Sequence, residues 1–209
     1  MSGIKQLANQ TAWYGLSNII GRFINYLLTP ILTSIYAPAA FGDISLLFAI
    51  AAFLNIIFTY GMETSYFRFN QIEQETKVFN NAFSSLLLTT IIFSTLLILP
   101  AGWIASYLSL DGHTEYIFYV VGIVALDTLA VLPFSKLRHE GRPRKFAFIK
   151  ITNILINVLL VIFFLQICKP AFEKGEASIF SNLYNPTIGI GYVFLSQLIA
   201  SGCTLLLLI

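Results

Sequence analysis

The sequence predicts an all-α fold, a polytopic transmembrane helical bundle of about six spans, and three observations carry that reading. Of the 209 residues, 57% are apolar and 11% charged, with a mean hydropathy of +0.80, a composition foreign to water-soluble domains. Residues 44–62, 78–110, 151–168 and 177–209 contain no Asp, Glu, Lys or Arg, and runs of about 18 or more residues can cross a bilayer as helix. The apolar segments are also too long for outer-membrane barrel strands and lack their alternating period.

The spans are predicted over 13–35, 41–63, 80–107, 116–136, 147–168 and 187–209. The first is retained rather than cleaved: only Lys5 precedes it, and no small-residue cleavage pattern follows. Pro30, Pro100 and Pro133 fall in or at the ends of these helices. A proline there removes a backbone donor and bends the helix, freeing carbonyls that must be satisfied inside the bundle. The connections are short and no convincing internal repeat joins the two halves, so residues 1–209 read as one six-helix domain.

Orientation follows from the cations. One side of the membrane receives Lys5, Arg68, Lys77, Lys136, Arg138, Arg142, Arg144, Lys145 and Lys150, and the other only Lys169 and Lys174. Lys and Arg are retained in short cytoplasmic loops, so the N-terminus and the loops 64–79 and 137–146 are expected in the cytoplasm. The basic run KLRHEGRPRK (136–145) is explained as a solvated topogenic loop, without a nucleic-acid partner.

The residues offer little for catalysis. Cys168 and Cys203 should lie roughly 20 Å apart along the membrane normal, at about 1.5 Å rise per residue, too far for a disulfide. His113 and His139 sit in opposite loops, and no Cys, His or carboxylate cluster has metal-ligand spacing. No nucleophile with its base, phosphate-cradling glycine loop or paired-carboxylate site is legible. Neither an enzyme nor a bound metal or cofactor is expected.

The informative residue is Arg22, in the middle of LSNIIGRFINYLLTP (16–30). Steps of three and four along the first span give Thr11, Gly15, Asn18, Arg22, Asn25, Thr29 and Thr33, a continuous polar stripe. Leu16, Ile19, Ile20, Phe23, Ile24, Leu27 and Ile31 cover the other faces. An arginine at mid-span is too deep to snorkel easily and costs at least a few kcal/mol against lipid, so it should face protein or water.

Weaker polar faces recur as Asn55, Thr59 and Glu63 in the second span, Lys150, Asn153 and Asn157 in the fifth, and Gln197, Ser201 and Thr204 in the sixth. Asp127 lies at mid-depth in the fourth, where a salt bridge or a shared hydrated pocket with Arg22 is geometrically open. Any single Asn, Ser or Thr here can simply bond to a neighbouring helix, and Gly15, Gly21 and Gly122 can simply permit close packing. Arg22 and Asp127 point to function, because ionisable groups at this depth are rare without a pathway or ligand. Bent helices around a polar interior suggest a transporter.

Three stretches resemble a known family. YGMETSYFRF (60–69), KLRHEGRPRKFAFIKITNILINVLL (136–160) and the opening LANQTAWYGLSNIIGRFINYLLTPILTSIYAPAAFGDISL are similar to segments of bacterial polysaccharide transporters. These are the lipid-linked oligosaccharide flippases, O-antigen translocases among them, of the multidrug, oligosaccharidyl-lipid and polysaccharide exporter superfamily. The resemblance implies two six-helix lobes plus further helices around a cavity open alternately to each side, of which this chain supplies the N-terminal lobe. Its apolar end SGCTLLLLI, without a Lys, Arg or aromatic anchor beyond it, suggests a fragment or truncated gene lacking the C-terminal lobe.

The implied function is translocation of a polyprenyl-pyrophosphate-linked oligosaccharide across the bacterial inner membrane, for O-antigen of lipopolysaccharide, capsule or exopolysaccharide. Membrane lipids, the second lobe and glycan polymerase machinery are the implied partners. Arg22 suits such an anion, since a guanidinium is permanently charged and grips phosphate oxygens in bidentate fashion, and Asn18 and Asn25 offer amides for sugar hydroxyls. Glu63 matches the glutamate of the family's loop motif, or pairs with Arg68 as a hinge or gate. Asp127, Glu63, Arg68 and Lys150 are the candidates for an ion pair or for coupling to an ion gradient. A drug or cation antiporter of the same superfamily and a non-transport membrane scaffold are the rival classes.

Overall fold

A computed structural model describes residues 15, 19, 26, 28–72, 75–110, 112–175 and 179–209, and all regular structure among them is helical. Helix α1 covers 28–35 and runs through Pro30. After a bend at Tyr36 comes α2, Pro38–Thr59, with its proline in the first turn, where the missing N–H is no loss. α2 ends because Tyr60 (φ 33°) and Gly61 (φ 75°) both adopt the left-handed conformation, a stop glycine tolerates freely and tyrosine only under constraint. The chain restarts at once as the eight-residue α3, Met62–Phe69. α4 follows over Glu75–Ile98, then α5 over Ala101–Tyr107, capped by Pro100.

The central element is α6, Thr114–His139, which continues unbroken through Pro133. It is apolar on most of its circumference and buries residues on several faces, as a helix surrounded by others should. α10, Gly191–Leu208, packs most extensively against α6 and then against α7, Pro143–Ile162, while α4 and α2 cover other sides of α6. Gly122 shows how closely α6 and α10 approach: a Cβ there would meet Leu198 Cδ1 at 2.9 Å. α7 runs on through a π-helical turn, Phe163–Cys168, into α8, Lys169–Glu173. A short α9, Ile179–Asn182, and a 3-10 turn, Pro186–Ile188, lead into α10.

Among the described residues five helical stretches are long and apolar enough to cross a membrane: Pro38–Phe69, Glu75–Ile98, Thr114–His139, Pro143–Glu173 and Gly191–Leu208. The predicted first span falls mostly outside the described residues. Two predicted spans need correction. The third is not continuous over 80–107, because the helix stops at Ile98 and restarts at Ala101 beyond Pro100. The fifth extends past 168, since the π-helical turn carries it on as far as Glu173. The bend expected at Pro133 is not a break: the flanking turns hold and Ser135 Oγ donates back to the Val131 carbonyl at 2.8 Å.

The two ends of the bundle differ. At the end carrying 183–191 aromatic rings lock the connection in place: Tyr36 Oη donates to the Gly189 carbonyl (3.1 Å) and Tyr116 Oη to the Ile188 carbonyl (2.9 Å). Tyr184 stacks on Tyr192 with centroids 5.1 Å apart. At the opposite end α3, the start of α4 and the end of α6 gather the basic loops. Both cysteines are free thiols.

Candidate functional site

The polar faces of α7 and α10 meet. Asn153 Nδ2 donates to Thr204 Oγ1 at 2.8 Å, and Thr204 donates on to the Ala200 carbonyl at 2.9 Å. Beside this contact Gln197 Nε2 donates to Ser201 Oγ at 3.3 Å, and Ser201 hydrogen-bonds Asp127 on α6. Buried Asn157, one turn further along α7, keeps its Oδ1 without a partner among the described residues. Three helices therefore turn polar groups toward one another within an apolar bundle, where each hydrogen bond also avoids the cost of stranding a donor.

Charge threads this region. Lys150 feels the Asp127 carboxylate, the Arg138 guanidinium and the Glu63 carboxylate, and its ammonium lies 4.7 Å over the Phe134 ring. Arg138 closes on Glu63 at 2.6 Å, with its guanidinium 5.6 Å from the Phe146 ring centroid. Glu63, Arg138, Lys150 and Asp127 thus form a chain of two acids and two bases, running from α3 into the α6–α7–α10 interior. The α3 end is half-exposed, so its ion pair is screened and worth about 0.2–1 kcal/mol. Asp127 and Lys150 interact without closing to a 4 Å ion pair.

The structure corrects one predicted pairing: Glu63 takes Arg138 rather than Arg68, because α3 turns at Tyr60 and Gly61 onto the end of α6. Arg68 lies exposed in the last turn of α3. Arg22, Asn18 and Asn25 lie outside the described residues, and with them the Arg22–Asp127 pairing. Of their stripe, Thr33 is described, and its hydroxyl returns to the Thr29 carbonyl at 3.0 Å.

A second polar surface had been missed. Exposed Asn81 and Ser85, with half-buried Thr89, recur every four residues along α4, and Tyr60 Oη bridges to Ser85 Oγ (3.4 Å) and Thr89 Oγ1 (3.3 Å). The signal was present in NAFSSLLLT (81–89), whose polar positions fall on one helical face of an otherwise apolar span. This wall begins beside α3 and climbs α4, so the break at Tyr60–Gly61, the Glu63–Arg138 pair and the start of the wall share one end of the bundle.

Compared with known proteins, residues 7–172 match the family model of polysaccharide biosynthesis proteins. No curated protein and no solved structure matches the chain.

Proposed function

Because the chain belongs to the polysaccharide biosynthesis protein family, whose members are membrane transporters, we propose that it is one lobe of a flippase for a polyprenyl-pyrophosphate-linked oligosaccharide. The observation that carries this reading is the polar interior: a chain of balanced charge enters an apolar bundle and has no counterpart in a merely structural membrane helix pair. Intramembrane ionisable groups are expensive and mark substrate or ion pathways. The exposed wall of Asn81, Ser85 and Thr89 supports a cavity completed by a second lobe, since hydroxyls and amides on a membrane helix are poorly placed against lipid.

In this proposal the carrier enters from the cytoplasmic leaflet of a bacterial inner membrane, with the basic loops and the N-terminus on that side, as the cation asymmetry favours. Arg22 holds the pyrophosphate oxygens while Asn18 and Asn25 meet sugar hydroxyls. Asp127 and Lys150 can exchange a proton or accept a cation between them, and the Glu63–Arg138 pair relays that change to α3. Rocking of the two lobes then exposes the head to the outer leaflet. O-antigen, capsule and exopolysaccharide precursors all fit this chemistry.

The test is complementation of a strain lacking its own flippase. Surface glycan should return when this lobe is expressed with a second lobe and not with residues 1–209 alone. Asp127→Asn strands Lys150 and lowers abundance, so the comparison is made at matched protein level, where it should still abolish the rescue. Efficient rescue by Asp127→Asn would remove the charge chain from the mechanism. Export of cationic drugs without return of glycan would favour the antiporter reading, which an intramembrane carboxylate also supports.

A further inference from the structure

The basic end of the bundle carries more positive charge than its acids answer. In the connection between α6 and α7, Lys136 and Arg142 both reach Glu140 (3.9 and 3.1 Å), and Arg138 is taken by Glu63. Arg144 and Lys145, in the first turn of α7, are exposed and close no ion pair among the described residues. That turn holds no acidic residue, and neither does the sequence of residues 1–27. Two adjacent cations thus stand at the entry to a membrane span with no counter-charge beside them.

An apolar stripe runs along α7 from these cations. Arg144, Phe148, Leu155 and Leu159 fall within about 60° of one another around the helix, at about 100° per residue, and Lys145 stands about 40° to one side. Phe148, Leu155 and Leu159 are 65%, 45% and 63% exposed, within the candidate span Pro143–Glu173, so this face is turned to the bilayer. Lys150, Asn153 and Asn157 occupy the opposite face, from which Asn153 reaches Thr204 on α10. From Phe148 to Leu159 the stripe is roughly 16 Å long at about 1.5 Å per residue, close to one leaflet, or about half of a 30 Å hydrocarbon core. Cations at headgroup level above one leaflet of apolar stripe match the outline of a phospholipid.

We propose that this face of α7 binds an anionic phospholipid, its phosphodiester held by Arg144 and Lys145 and an acyl chain laid along Phe148, Leu155 and Leu159. Charge complementarity selects an anionic lipid over a zwitterionic one. A phosphodiester whose headgroup carries no ammonium leaves its charge to the protein, and Lys and Arg beside a span are drawn to such lipids. Arg144 supplies a planar fork for two phosphate oxygens and Lys145 a point charge. A glycan-bearing carrier fits this face less well, because apart from Thr152 the stripe offers no hydroxyl or amide for sugars. The bound lipid fixes the depth and rotation of α7, and so keeps Lys150, on its inner face, within the field of Asp127.

The experiment is native mass spectrometry of the purified chain, released from micelles that hold equal amounts of phosphatidylglycerol and phosphatidylcholine with matched acyl chains. Retention of one phosphatidylglycerol, in at least tenfold preference, is expected. Arg144→Gln and Lys145→Gln should each weaken it about fivefold. Phe148→Ala should weaken retention of the long-chain lipid and leave a dihexanoyl form unchanged. Arg68→Gln and Lys174→Gln, which remove exposed cations from other parts of the surface, should have no effect. The substituted side chains are all exposed, so each variant should melt at the parent temperature in phosphatidylcholine alone. Equal retention of the two lipids would overturn the proposal, and so would an equal loss with Arg68→Gln, which would mean diffuse attraction to the whole basic end. Displacement of phosphatidylglycerol by an equimolar polyprenyl pyrophosphate would give the face to the carrier and overturn the assignment as well.

Discussion

Asp127 and Lys150 are the residues on which the interior is most sensitive, because each limits the cost of burying the other. Removing one of two opposite charges that face each other in an apolar interior strands the other, whereas removing both is milder. Lys150→Met should therefore lower protein abundance in membranes, and Lys150→Met with Asp127→Asn should largely restore it, as immunoblotting of membrane fractions can show. Arg22 poses a different question. Arg22→Lys keeps the charge and loses the planar fork, so partial glycan transport would indicate an electrostatic role and complete loss a bidentate phosphate grip. At the opposite end of the bundle burial, reinforced by Tyr184, Tyr116 and Tyr192, holds the Tyr36 phenol well above its usual 10.0. Its folded value exceeds its unfolded value, so its stabilising contribution is intact below about pH 10 and lost as pH rises through the folded value. Thermal melts at increasing alkaline pH should decline less steeply for Tyr36→Phe.

At the scale of elements, glycine positions and helix breaks decide how the bundle closes. A Cβ on Gly191 would meet Ile188 Cγ2 and Tyr116 Cε1 at 2.9 Å and Tyr119 Cε2 at 3.2 Å, whereas at Gly122 it would meet only the flexible tip of Leu198. Gly191→Ala should destabilise the chain by about 1–3 kcal/mol, as overpacking does, and Gly122→Ala by clearly less, measured by thermal melting in detergent. Periodicity exposed the faces of these helices but not their neighbours. Asn153 and Thr204 each stood on a legible polar stripe, yet their 2.8 Å contact depends on α10 folding back beside α7, which no local pattern encodes. Glu63 seemed to have its partner five residues on in Arg68. The left-handed pair Tyr60 and Gly61 redirects α3 toward Arg138 instead, and positive φ at a tyrosine has no signature in sequence. Pro100 did mark a break, while Pro133 marked none, because a proline inside a packed helix is tolerated when neighbouring groups re-satisfy the backbone. The π-helical turn at Phe163–Cys168 had no warning at all.

The whole molecule was the most legible, because hydropathy over twenty residues is a stronger signal than any single contact. Long charge-free runs set the all-helical membrane bundle, and the cation asymmetry sets the orientation proposed for it. Cysteines placed at exposed His139 and Lys174, in a background lacking Cys168 and Cys203, test that orientation: an impermeant thiol reagent added to intact cells should label position 174 and not 139. What composition left unread is how a cavity is completed, since in the two-lobe arrangement proposed here that depends on surfaces shown to a partner. The central claim is that this lobe carries a lipid-linked glycan across the bilayer, and the most direct measurement is scrambling of a fluorescent polyprenyl-pyrophosphate oligosaccharide in proteoliposomes holding both lobes, read by a membrane-impermeant quencher. Accelerated loss of the protected fluorescence, abolished by Arg22→Ala at equal protein content, is the expected result. A rate no faster than in protein-free vesicles, or equal acceleration with Arg22→Ala, would contradict it.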